Sequence, residues 1–116
     1  MDKEDEELKV NMNLLEQWID DITNYQQLSV KTQRTYISDV RNAARIFAKN
    51  GIAFTAIRKE HLKLFLSTIK KETKRPEGLS HGRLKGIFSA LNSMMEFLMY
   101  EEKTLHNPVP PFRKRY

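Results

Sequence analysis

From Asn11 onward the apolar positions recur every three or four residues, the spacing that gathers side chains on one side of an α-helix. Leu14, Leu15, Trp18, Ile19, Ile22 and Tyr25 form the first stripe. The outer face of that helix carries Glu16, Asp20 and Asp21 and no base, so it reads as scaffold. Gln26-Gln27-Leu28-Ser29 breaks the period. Ser29 is placed to cap a second helix over about residues 31–49, with Thr32 an alternative cap one turn later. Tyr36, Val40, Ala43, Ala44 and Phe47 are its apolar positions. Asn50-Gly51 is a stop signal, because glycine accepts the left-handed conformation that ends a helix. Phe54 and Ile57 anchor a short connector. A third helix is expected over about residues 58–71, with Leu62, Phe65, Leu66 and Ile69 inward. Pro76 and Gly78 mark a loop, and Ser80 caps a fourth helix over about residues 81–101. Leu84, Ile87, Phe88, Leu91, Met95 and Leu98 form its stripe. Met94, Phe97 and Met99 carry apolar surface almost all round its end, which makes that half either central to the bundle or a partner contact.

Residues 1–10 show no apolar period and are expected to form a flexible acidic tail. Asn107-Pro108 and Pro110-Pro111 are expected to close the folded part, leaving residues 109–116 as the start of a basic linker. No alternating pattern competes for strands. The predicted architecture is all-α: one compact four-helix bundle over residues 11–108.

Composition sharpens this picture by exclusion. The chain has 116 residues, enough for one domain, and no cysteine. A disulfide scaffold and a thiolate zinc site are excluded, and a reducing compartment, the cytoplasm, is the expected location. His61, His81 and His106 are too far apart for metal-ligand spacing, and no cofactor is expected. No apolar run approaches the roughly 20 residues of a membrane span, and the acidic start is unlike a signal peptide. There is no glycine-rich phosphate loop, no G-x-S-x-G turn and no H-E-x-x-H, so the chain offers no active site of those kinds.

Charge then points to a partner. The first ten residues hold five acids and two lysines, a net −3, which leaves +8 on the rest of a chain whose total is +5. Basic excess on a folded domain favours a polyanion. Two constellations could meet one. At the start of helix two stand Lys31, Thr32, Gln33 and Arg34, where free N–H groups and the helix dipole attract phosphate. The same helix continues with an exposed edge of Arg34, Ser38, Arg41 and Arg45. The competing reading of its first turn is plain capping. At the start of helix four stand His81, Arg83, Lys85 and Gly86, followed by Ser89, Asn92 and Ser93. A helix that enters a DNA groove needs such a slim face with donors near its N-terminus. The competing reading is close helix packing through Gly86, Ser89 and Ala90.

The order of these features resembles the N-terminal core-binding domain of tyrosine recombinases, the phage-integrase family, a SAM-like bundle, over about Leu14 to Pro108. Leu14-Leu15 with Trp18-Ile19 resembles that family's opening helix. Ser29-Val30-Lys31-Thr32-Gln33-Arg34-Thr35-Tyr36, with Val40 and Phe47, resembles its S-x-K-T-x-x-x-Y helix. Phe88-Ser89-Ala90-Leu91, Met94-Met95 and Phe97-Leu98 resemble its L-S-A-L-x-x-F-F-x-Y-L helix, and His106-Asn107-Pro108 its closing x-N-P. Asn92 stands where the family often has a base, and Met94-Met95 replace paired aromatics.

The resemblance implies a domain that grips double-stranded DNA at a core recombination site and positions it for a separate catalytic domain. The family's arginine, lysine, His-x-x-Arg and tyrosine nucleophile belong to that second domain, so this fragment is expected to lack catalytic activity and Tyr116 to be a linker residue. The implied DNA contacts are Lys31, Thr32 and Arg34 on phosphates, Arg83 and Lys85 in or beside a groove, and Arg113, Lys114 and Arg115 along the linker. Arg41, His81 and Ser89 complete the set. The fragment is expected to be monomeric, with the parent recombinase assembling on DNA. The alternative is a helical protein-interaction module with a basic surface, using an apolar patch at Phe97, Met99 and Tyr100.

Overall fold

Capping and turn chemistry set the element boundaries in the computed structural model, which describes residues 3–116. Five helices are formed among these residues: α1 (Lys3–Asn24), α2 (Val30–Lys49), α3 (Lys59–Glu72), α4 (His81–Tyr100) and α5 (Val109–Arg115). A 3-10 turn, Phe54–Ala56, joins α2 to α3. Ser29 Oγ accepts from Thr32 N at 3.1 Å and Ser80 Oγ from Arg83 N at 3.0 Å, each taking up an N–H that the helix leaves unpaired. The start of α3 is closed differently: Arg58 N donates to His61 Nδ1 at 3.0 Å. Helix α2 ends where Gly51, at φ 71°, turns the chain so that Ile52 N reaches Phe47 O at 2.8 Å. Helix α4 ends with the matching bond, Lys103 N to Leu98 O at 2.8 Å, but there Glu102 adopts the left-handed conformation, at φ 58°.

The core is one continuous body. Trp18, Ile22, Val40, Phe47, Leu62, Phe65, Phe88, Leu91, Met94 and Leu98 are all buried. Helix α1 runs along α2, α4 packs on both, and α5 bridges α3 and α4. A chain of ring contacts passes through it: Phe54 to Phe47 at 6.1 Å between centroids, Phe47 to Phe65 at 5.3 Å, Phe65 to Phe88 at 5.7 Å, and Phe88 to Phe112 at 5.5 Å. Such pairs add to the area that each ring buries. Met94 and Phe97 are buried, so the end of α4 is central to the bundle, and Met99 and Tyr100 are left on its surface.

Both ends of the chain differ from the sequence expectation. Residues 3–10 continue α1 and are not a loose tail; Met1 and Asp2 lie outside the described residues. Glu4, Asp5 and Glu6 fill the first turn, where negative charge suits the helix dipole. Asn11 then fastens the helix from inside the protein. Its Nδ2 donates to Ala44 O at 3.3 Å and Ile52 O at 3.1 Å, and its Oδ1 accepts from Phe54 N at 2.9 Å. At the other end, residues 109–115 form a packed fifth helix in place of a linker. Pro110 and Pro111 sit in its first turn, where a missing N–H costs nothing. Asn107 Oδ1 accepts from Val109 N at 2.9 Å, and Val109 and Phe112 are buried. Tyr25 also departs from its stripe. Helix α1 stops at Asn24, and Tyr25 is 78% exposed in the turn beyond.

Candidate nucleic-acid interface

Helix α4 forms the floor of an open groove of about 750 Å³, walled by the α1–α2 connection and by α5. Four of the predicted contacts meet there: His81, Lys85 and Ser89 from α4 and Arg113 from α5. Among the described residues no carboxylate lines it. The guanidinium of Arg113 lies over the ring of Phe88, 5.0 Å from its centroid, which steadies a cation on the wall. Tyr36, expected as a core residue, is only half-buried and lines the groove. Its one polar end on an apolar ring was the available signal that it stands at an edge.

The slim face of α4 divides into residues with and without structural duties. Ser93 accepts from Trp18 Nε1 at 3.1 Å, and Asn92 Oδ1 accepts from Asn107 Nδ2 at 2.7 Å. Those two hold α1 and the α5 entry against α4. Ser89 makes no such bond and is half-buried on the groove floor. Gly86 is not a packing glycine, since a Cβ there would meet only Arg83 Nη1, at 3.8 Å. Ala90, by contrast, is fully buried.

Arg83 is differently placed from its neighbour Lys85. It is clamped on Asp39 of α2, with Nη1 donating to Oδ2 at 3.0 Å and Nη2 paired with Oδ1. Asp39 is buried, while the Arg83 side chain is 43% exposed. The hydrogen bonds to Asp39 raise the Arg83 pKa further above its ordinary value, against an opposing desolvation cost. The pair ties α2 to the first turn of α4. Arg41 and Arg45 line a hollow beside it with Ser38 and Asn42, and Arg45 donates to Asn42 Oδ1.

The remaining predicted residues are spread out. Lys31 and Arg34 are exposed on α2 and do not line the groove. Thr32 is partly occupied by capping, its hydroxyl accepting from Ser29 Oγ at 2.9 Å. Because α5 is helical, Arg113 and Arg115 line different hollows: Arg113 lines the groove, and Arg115 lines a separate one together with Arg58, Lys59 and Lys63 of the α3 start. Lys114 is exposed and lines neither. The three α3 bases carried no sequence signal, since they sit 50 residues or so from α5 and only folding joins them.

A family model described as phage integrase, N-terminal SAM-like domain, matches residues 15–102. The chain belongs to that family. Comparisons with curated proteins and with solved structures returned no match. The match runs from Leu15 in α1 to just past α4, so the SAM-like integrase domain supplies the α2 and α4 faces, and α5 with its bases lies beyond the matched segment. Membership makes the chain integrase-related. Among the described residues no helix is long and apolar enough to cross a membrane.

Proposed function

We propose that this SAM-like domain binds double-stranded DNA at a core recombination site and positions it for a separate catalytic domain, breaking no strand itself. The observation that carries the proposal is the acid-free groove in which Lys85, His81, Ser89 and Arg113 converge on the N-terminal half of α4. Lys85 and Arg113 take phosphate oxygens, and the α4 face beyond them, slim at Gly86 and Ser89, allows close approach to base edges. Lys31, Thr32, Arg34 and Arg41 extend the contact along α2. Arg83 acts through Asp39, holding α4 at a fixed spacing from α2, so its part is positioning. The domain alone binds as a monomer, and assembly belongs to the parent recombinase on DNA.

Affinity of this kind is mostly counterion release, so it is weak for a lone domain, about 10⁻⁴–10⁻⁶ M at physiological salt, and falls steeply as salt rises. Fluorescence anisotropy with a labelled duplex at two ionic strengths tests this. Salt-independent binding, or none at low salt, removes the proposal. A suicide substrate tests the second clause: no covalent protein–DNA adduct is expected, and an adduct through Tyr116 would overturn it.

A further inference from the structure

We propose that the cluster of cations where α3 meets α5 is a second contact for the DNA phosphate backbone, separate from the α4 groove. It rests on the reading above that the domain binds DNA, and it adds a surface which that reading does not use. Arg58 just before α3, Lys59 and Lys63 of α3, His106 of the α4–α5 connection and Arg115 of α5 line one open hollow of about 1020 Å³, against a single side-chain carboxylate, Glu60. Four of these are full cations, and all five side chains are exposed or nearly so.

Two features mark this cluster, and the second separates it from ordinary solvated charge. First, among the described residues no carboxylate closes an ion pair on any of these bases; the pair at Arg83 and Asp39 lies elsewhere. Like charges gathered without partners repel, and a polyanion relieves that repulsion. Second, the cations are held in place. Lys63 Nζ lies 5.5 Å and Arg115 Cζ 5.7 Å from the centroid of the Tyr116 ring, so one aromatic ring gathers a lysine from α3 and an arginine from α5. Phe112 packs against the same ring at 5.0 Å. With Phe112 and two cations around it, the ring is poorly placed to stack on a base. Lys63 and Arg115 carry more N–H groups than the Tyr116 phenol takes up, and the rest stay available for oxygen acceptors. Bonds to Arg115 and then to Lys63 also hold the Tyr116 phenol below its ordinary pKa, as a positive local field requires.

The geometry favours a continuous polyanion as the occupant. Helix α5 has Arg113 in the α4 groove and Arg115 in this hollow, so the two sites flank one short helix, and a backbone that crosses α5 meets both. Each contact releases counterions independently, and the two add in the salt dependence.

The test compares three paired variants for duplex binding across a salt series, with circular dichroism to check that each is folded. Lys59→Gln with Lys63→Gln should lower the salt slope by about two. Lys70→Gln with Lys71→Gln removes the same charge from the far end of α3 and should leave the slope unchanged. Equal slopes for these two pairs overturn the proposal. Lys85→Ala with Arg113→Ala reads the groove separately: a loss there, with none from Lys59 and Lys63, leaves the groove standing and rejects the second contact. Absence of salt-dependent binding by the unmodified chain would reject both together. An independent readout is the Tyr116 phenol, followed as the titration difference between the chain and Tyr116→Phe. Bound phosphate should move that titration upward towards the ordinary tyrosine range, and an unmoved titration contradicts contact at this site.

Discussion

Arg83 and Lys85 stand two residues apart on α4, yet they belong to two different regions. Arg83 faces the seam between α2 and α4, where its charge is answered from within the protein. Its guanidinium meets buried Asp39; the seams of α1 are closed likewise, Asn11 answering two carbonyls and an N–H, and Trp18 Nε1 donating to Ser93. Lys85 faces the groove, where His81, Ser89 and Arg113 gather with no carboxylate among them. The closed region holds the helices at their spacing, and the open region is left with unmet donors. Charge alone does not separate the two; what each charge meets does.

Substitutions should therefore divide by region, stability falling in the seam and binding falling in the groove. The largest loss of stability is expected from Asn11→Ala, about 2–4 kcal/mol, because it strands buried backbone groups at Ile52 and Phe54. Urea denaturation measures it. Arg83→Ala should follow at about 2 kcal/mol, since Asp39 stays buried without its partner; the half-exposed guanidinium keeps the figure below that of a fully buried pair. Arg113→Ala gives up its place over Phe88 and should cost about 1 kcal/mol or less, while lowering the salt slope of duplex binding by about one. Smallest in stability is Lys85→Ala, within about 0.5 kcal/mol of the unmodified chain, with a similar loss of slope. A Lys85 variant that unfolds easily but binds normally would erase the distinction.

The bundle was legible in the sequence because helical period, serine caps and the Asn50-Gly51 stop are local signals. Ser29 and Ser80 cap as their positions suggest, and α2, α3 and α4 begin and end within about two residues of expectation. The two misread ends share one cause. Residues 3–10 and 109–115 lack a long apolar stripe, so their helices depend on distant partners: Asn11 on the turn after α2, and Phe112 on a ring of α4. Half of the candidate groove was legible, from the donors clustered at the start of α4. The pairing of Arg83 with Asp39 was not, because it joins residues 44 apart and an aspartate on a basic helix edge looks like any solvated acid. Arg58, Lys59 and Lys63 were missed for the same reason.

The division between seam and groove is tested most directly by one comparison of salt slopes. Asp39→Asn combined with Arg83→Gln removes the pair without changing net charge, and replacing both partners costs less stability than removing one. Lys85→Ala removes a single groove cation. With duplex DNA titrated from low to physiological salt, the double variant should keep the slope of the unmodified chain, and Lys85→Ala should lose about one. The opposite pattern, a full unit lost from the Asp39 and Arg83 variant and none from Lys85→Ala, would place the phosphate contact on Arg83 and contradict the groove as the binding face.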